Sequence, residues 1–303
     1  MNLLKKIFEA KNINEKHKQI TLFGIRMKIK RKNRTYVMLN DLSETERQIL
    51  NLQRSMLRDV DRIIQNNVST MFLHQKTFLP FRDCHKDKEI VIVASGPTAK
   101  YYTNPIEKAI HIGVNRSFQL ETVDFNYIFI QDYSGPTKTY IEDLIAYRPE
   151  TCQKFFGLTT EYENNWERVI PESLAVRAKA LRYRTDWVKL PKFQPKFAYD
   201  ISTQPLGCFG SIVFPALQFA LWTNPKTIYL VGCDCTTAGY FNTDIKSPEF
   251  QPDKIKYAYE KFKNFAKVYY PDVKIISINP VGLRGLFDED IYTSAYLKTY
   301  NNI

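Results

Sequence analysis

Small and polar residues recur straight after short apolar runs, and their types suit an anionic, hydroxyl-bearing ligand. Ser95-Gly96-Pro97-Thr98, Asn115-Arg116, Gln131-Asp132, Gly232-Cys233-Asp234 and Asn279 each follow such a run. Gly96 carries no Cβ, so backbone amides at the first turn could approach a phosphate or ribose; a glycine needed only for packing is the other reading. A second glycine turn, Gly207-Cys208-Phe209-Gly210-Ser211, stands before an apolar helix whose amino end offers free N–H groups and partial positive charge. Ser211 is either part of that phosphoryl cradle or simply the helix cap. Asp234 is placed to hold ribose hydroxyls, and the Tyr240 phenol, in the loop after it, to reach a phosphate oxygen, near Thr236.

Several chemistries are disfavoured by spacing. Neither GxGxxG nor GxxxxGK[ST] is present. Five cysteines, with no CxxC pair, point to a reducing compartment. His17, His74, His85 and His111 are scattered without zinc-ligand spacing. The DxD spacings, Asp59-Val60-Asp61 and Asp288-Glu289-Asp290, do not end central strands, so no metal or other cofactor is expected.

The elements that position these residues alternate. Glu89–Ala94, Ile110–Val114 and Phe125–Ile130 are short apolar runs of the kind buried on both faces of a sheet, Lys154–Leu158 is strand-like, and Thr227–Val231 and Val273–Ile278 read as further strands. Helices are expected near Thr137–Tyr147, Ser211–Trp222 and Pro252–Tyr269. That alternation predicts an α/β domain, Rossmann-like with a mainly parallel sheet flanked by helices, over 88–303; its ligand crevice would lie outside the carboxyl ends of the strands. Residues 160–200 read as an irregular subdomain or lid, and Thr236–Asp253 as further lid material. Ahead of it, 1–87 is expected as a basic appendage. It would comprise a short amphipathic helix over 1–17, a hairpin of Gln19–Lys30 with Arg34–Leu39, and a helix to about Asn67 capped by Ser43 and Glu46. The apolar stripe of that helix (Ile49, Leu50, Leu52, Met56, Leu57, Val60, Ile63, Ile64) is expected to pack on its own domain, with self-association the alternative.

Three stretches also carry a family resemblance: Val91–Thr98, the Gly113-Val114-Asn115-Arg116 turn and, above all, Phe209–Asp234. Together with Ile275–Phe287, they resemble the bacterial lipooligosaccharide sialyltransferases and the related motility-accessory-factor glycosyltransferases, in order over about 88–290. The resemblance implies a GT-A-variant Rossmann fold that transfers an acidic sugar (sialic acid, another nonulosonate or Kdo) from a CMP-sugar to a surface-glycan acceptor, such as lipopolysaccharide or capsule, without a metal. By position it implies donor contacts from Ser95, Gly96, Pro97, Thr98, Asn115, Arg116, Gln131, Gly210, Ser211, Asp234 and Thr236. Tyr240 would stabilise the departing phosphate. Ser95, Gln131 and Thr236 stand where the family has Asn, Asn and Tyr, and no histidine follows His111 to serve as its catalytic base. The base is therefore sought among Asp132, Asp244 and Asp253.

Charge speaks to location. Lys+Arg exceed Asp+Glu by 43 − 32 = 11, and residues 1–34 alone hold eleven basic and two acidic side chains. With an uncharged but Pro- and Gly-interrupted Ile201–Pro225 as the longest such stretch, the chain is expected in the cytoplasm. Its basic arm would rest on anionic lipid of the inner membrane face, near a lipid-linked acceptor; nucleic-acid binding and a merely solvated arm are the alternatives. A homo-oligomer is considered. Two other functions are open: a pterin pyrophosphokinase-like enzyme, and a non-catalytic nucleotide-binding or membrane-scaffold protein.

Overall fold

A computed structural model describes residues 8–14, 17–22, 25–30, 34–131, 133–159, 168–186, 196–242, 251–287 and 289–300. It divides into two compact units, Met1–Gln65 and Asn66–Ile303.

In the first unit, β1 (Phe8–Asn14), β2 (His17–Leu22) and β3 (Ile25–Lys30) form an antiparallel sheet in the order β1-β2-β3. Residues 8–14 were expected in a helix. They pair instead with β2, Ala10 opposite Ile20 and Asn12 opposite Lys18. A short isolated helix is marginal in water, whereas a strand beside β2 gains a hydrogen-bonded ladder. The hairpin is likewise corrected: Ile25–Lys30 pairs with β2, and Arg34–Leu39 is helical. Helix α1 runs from Arg34 to Phe78, 45 residues, so Ser43 lies inside it and is not a cap. Extending an existing helix adds one hydrogen bond per residue fixed and avoids a new nucleation cost, which outweighs the strand preference of Tyr36-Val37. The stripe on α1 does not pack on its own domain: Ile49, Leu52, Met56 and Leu57 are all at least half exposed.

The second unit contains the candidate site residues. Its strands are β4 (Glu89–Val93), β5 (Ile110–Val114), β6 (Tyr127–Ile130), β7 (Gln153–Thr159), β8 (Leu181–Asp186), β9 (Leu206–Gly207), β10 (Thr227–Val231), β11 (Lys274–Ile278) and β12 (Glu289–Ile291). They make one nine-stranded sheet, β12-β11-β10-β4-β5-β6-β7-β8-β9, in which every pairing is parallel. Helices α2 (Gly135–Ala146), α3 (Glu172–Arg177), α4 (Val213–Trp222), α5 (Pro252–Tyr269) and α6 (Ser294–Tyr300) complete it. Two buried apolar clusters form. One contains α4 and the inner face of α5; the other contains Tyr140, Ile141 and Leu144 of α2. The region expected to be irregular contains α3 and β8; 160–167 and 187–195 lie outside the described residues.

Strand order fixes where a ligand crevice can be. β6-β5-β4-β10-β11-β12 is the doubly wound order, with β7, β8 and β9 continuing the sheet. The chain winds outward from β4 in one direction and from β10 in the other, so their carboxyl ends diverge at a topological switch point. Helix α4 is uncharged and every residue in it is buried. Gln218, its one strongly polar side chain, donates to Gly207 O and Phe214 O at 2.8 Å and accepts from Gly207 N and Ala198 N, tying the second glycine turn to the helix that follows.

The end of α1 that belongs to this unit is held by polar anchors. His74 is fully buried; its ring meets Ile201 O at 2.9 Å through Nδ1 and accepts the Arg184 N–H at 2.7 Å through Nε2. Thr77 Oγ1 donates to Arg182 O at 2.7 Å, and Trp222 Nε1 to Phe78 O at 2.8 Å.

Candidate functional site

A cleft of about 350 Å³ opens at the β4/β10 switch point, within the size range of small-molecule sites. Three walls can be traced to sequence. Ser95-Gly96-Pro97 after β4, Asn115 after β5 and Gln131 after β6 form one; Gly210-Ser211 at the head of α4 forms the second; Asp234, Thr236 and Tyr240 after β10 form the third.

The two central turns lie against each other. A Cβ on Gly96 would come within 2.3 Å of Gly232 O and 2.7 Å of Asp234 Oδ2. Gly96 is thus glycine because the β4 and β10 ends meet there; its backbone N–H donates to Gly232 O at 2.9 Å. Gly232 itself has φ +65°, a conformation glycine adopts without a Cβ penalty.

Asp234 is placed differently from expectation. It is 5% exposed, and both carboxylate oxygens are engaged: Oδ2 accepts the Thr98 N–H at 2.8 Å and Oδ1 accepts the Thr98 hydroxyl. Burial pushes its carboxyl above the usual range, and the two Thr98 bonds oppose that rise. The carboxylate straps the first turn to the end of β10, so Thr98 serves Asp234 and does not line the cleft. Gln131 is also turned to structure. Its amide donates to Thr185 Oγ1 at 2.7 Å and accepts from the Tyr183 hydroxyl at 3.3 Å, bracing β6 against β8, with Gly157 leaving room beside it.

Asn115 has φ +51° and lines the cleft, and its carboxamide has no hydrogen-bond partner among the described residues. Arg116 is buried behind the rim and lies 4.4 Å over the Tyr240 ring and 5.8 Å from that of Tyr140. It also donates to Asn242 Oδ1 at 3.4 Å. A cation on the ring face helps to fix the orientation of Tyr240. Phe241 N donates to Ser95 O at 3.0 Å, closing the same loop onto the first turn.

The head of α4 is built from two successive left-handed residues, Phe209 (φ +46°) and Gly210 (φ +77°). The helix begins at Val213, two residues later than expected. Ser211 Oγ accepts the Val213 N–H only loosely, at 3.4 Å, and Ser211 lines the cleft.

Of the three candidate bases, Asp253 is exposed in the first turn of α5, the helix whose Ile255 and Tyr259 line the cleft. Asp132 and Asp244 lie outside the described residues. The thiols beside Asp234 are poor nucleophiles: burial pushes Cys233 up to about 12, and Cys235 is raised for the same reason. His111 is buried below the rim, and desolvation lowers it to about 4, leaving a neutral ring against the Tyr102 hydroxyl.

Arg168 was missed by sequence reasoning. It lines the cleft from the segment after β7, where Tyr133 N donates to its carbonyl at 2.8 Å. No local pattern distinguishes it from other arginines in 160–200. Among the described residues no three His, Cys, Asp or Glu side chains are grouped to hold a metal ion, and no helix is long and apolar enough to cross a membrane.

No protein-family model, curated protein or solved structure matches this chain.

Proposed function

We propose that the chain is a glycosyltransferase of the GT-A-variant Rossmann type that takes an acidic sugar from a CMP-sugar and passes it to a surface-glycan acceptor. The observation that supports this reading best is the cleft at the β4/β10 switch point, faced by the amino end of α4 and by Arg168, Asn115 and Tyr240. A departing CMP carries a phosphate whose charge grows as the glycosidic bond breaks. Donors fixed in advance around that position stabilise the transition state more than the ground state. In this reading the amides around Ser211, the Arg168 guanidinium and the Tyr240 phenol supply them. Asn115 contacts the nucleotide, and Asp234 acts at one remove, by holding the Ser95–Thr98 turn. The acceptor hydroxyl needs a base; Asp253, Asp132 and Asp244 are the carboxylates proposed. The basic strands β1–β3, with Lys18, Arg26 and Lys28 exposed, would hold the enzyme on anionic lipid at the cytoplasmic face.

Titration calorimetry with CMP, CDP, UDP and GDP tests the donor. A preference for CMP of tenfold or more supports the reading, and equal or absent binding defeats it. One observation favours a second reading, a nucleotide-binding protein without transferase activity: Asp234 and Gln131, two of the expected ligand contacts, have their side chains committed to Thr98, Thr185 and Tyr183. CMP binding without hydrolysis of any CMP-sugar would select it.

A further inference from the structure

Helix α1 carries an apolar face that its own unit leaves uncovered. Leu42, Ile49 and Met56 are spaced by seven residues, and so are Leu50, Leu57 and Ile64, giving two parallel columns. Glu46, Gln53 and Val60, also seven apart, run between them, with the charged Glu46 near the amino end of the face. Exposure in these columns ranges from 46% at Leu50 to 67% at Met56. Monomers rarely expose a continuous apolar patch of more than a few hundred Å². Leu52 widens the face and Val60 fills its middle, and at about 100 Å² per side chain it offers on the order of 800 Å², one side of a standard interface.

We infer that this face is the contact between two copies of the chain, paired through the Leu42–Ile64 segment of α1. Two observations choose a second copy over other occupants. A seven-residue repeat matches the 3.5-residue period at which two helices stay in register along their length. The charges between Leu39 and Gln65 are mixed, four arginines against Asp41, Glu44, Glu46, Asp59 and Asp61. A helix that lies on anionic lipid has a mainly basic polar face; a mixed one can pair with itself. Gln53, polar between two leucines, would restrict the register, as a buried polar residue does in coiled coils.

Sedimentation equilibrium of the full chain, from low to high micromolar concentration, tests this. Twice the 35.6 kDa chain mass is expected. Leu57→Glu and, independently, Leu50→Lys should weaken the pairing at least about a hundredfold, since each buries an unpaired charge, with far-UV helicity retained because both positions face solvent in the single chain. Val268→Glu, at an exposed apolar residue of the other unit, should leave the mass unchanged. The inference is overturned if the wild-type chain stays at the monomer mass throughout. It is overturned equally if the dimer survives both α1 substitutions, or if the chain associates only with phosphatidylserine vesicles.

Discussion

Acidification should loosen the anchor at the end of α1 in a measurable way, through His74. The ring is fully buried and meets two backbone groups, Ile201 O and Arg184 N. Accepting the Arg184 N–H requires Nε2 to carry no proton, so Nδ1–H donates to Ile201 O and the ring is neutral. Desolvation is the main cause that lowers its pKa from 6.5 to about 4, with the Arg184 charge acting in the same direction and the backbone bonds opposing. The folded pKa is below the unfolded one, so the unfolded chain binds the proton first as pH falls. The stability that depends on the neutral ring is complete above about 6.5 and is lost as pH drops toward 4. At about 1.4 kcal/mol per pH unit, the full loss is about 3 kcal/mol, and most of it is felt by pH 4.5. The assay is urea unfolding of wild type and His74→Gln at pH 7 and pH 4.5. Carboxylates contribute equally to both proteins, and so does His111, lowered to about 4 by its own burial. The variant should therefore show a pH-dependent loss smaller than wild type by about 2 kcal/mol. Identical losses in the two proteins would refute the assignment of a neutral, doubly bonded His74.

Substitutions at three other positions separate architecture from chemistry at the cleft. Gly96→Ala should shift the first turn, because its Cβ meets Gly232 O and Asp234 Oδ2; overpacking of this kind costs about 1–3 kcal/mol, read as a lower melting temperature, and nucleotide affinity should fall with it. Asp234→Asn should bind CMP within about threefold of wild type, because an amide can keep both Thr98 contacts, whereas Asp234→Ala should lose about 1–3 kcal/mol of stability in urea unfolding. A collapse of binding in the Asn variant would mean that the carboxylate does touch the ribose. Tyr240→Phe should lower the transfer rate about a hundredfold, the scale for losing one transition-state donor, with little change in CMP affinity by calorimetry; an unchanged rate would remove the phenol from the phosphate.

The sequence and the folded chain agree where the signal is local. Short apolar runs rich in β-branched residues, such as Glu89–Val93 and Thr227–Val231, read as strands covered on both sides and form them, and the small residues after them mark the rim. Ten of the fifteen expected site residues line the cleft: Ser95, Gly96, Pro97, Asn115, Gln131, Gly210, Ser211, Asp234, Thr236 and Tyr240. What stayed hidden is long-range. Thr98 and Asp234 are 136 positions apart, and Gln131 and Thr185 are 54 apart, so nothing near Asp234 reveals that its oxygens are already in use. The amino-terminal segment misled for the opposite reason. Short stretches such as Phe8–Asn14 and Arg34–Leu39 fit either period, and neighbours decide the outcome: β2 supplies a partner for the first, and the body of α1 absorbs the second.

The switch-point seam of the sheet joins Glu89–Val93 to Thr227–Val231, and this governs when the cleft comes into being. A nascent chain can make the β4, β5, β6 and β7 pairings while the ribosome is still translating, yet the strand that borders β4 on its other side, β10, is encoded more than a hundred residues after β4. Non-local pairing of this kind forms slowly. Until β10 docks, the Gly96 turn faces water and Thr98 lacks its carboxylate anchor. If the proposed function holds, a fragment ending before Thr227 should fail to bind CMP however well its own strands pair, because the cleft is complete only after the second winding of the sheet has docked.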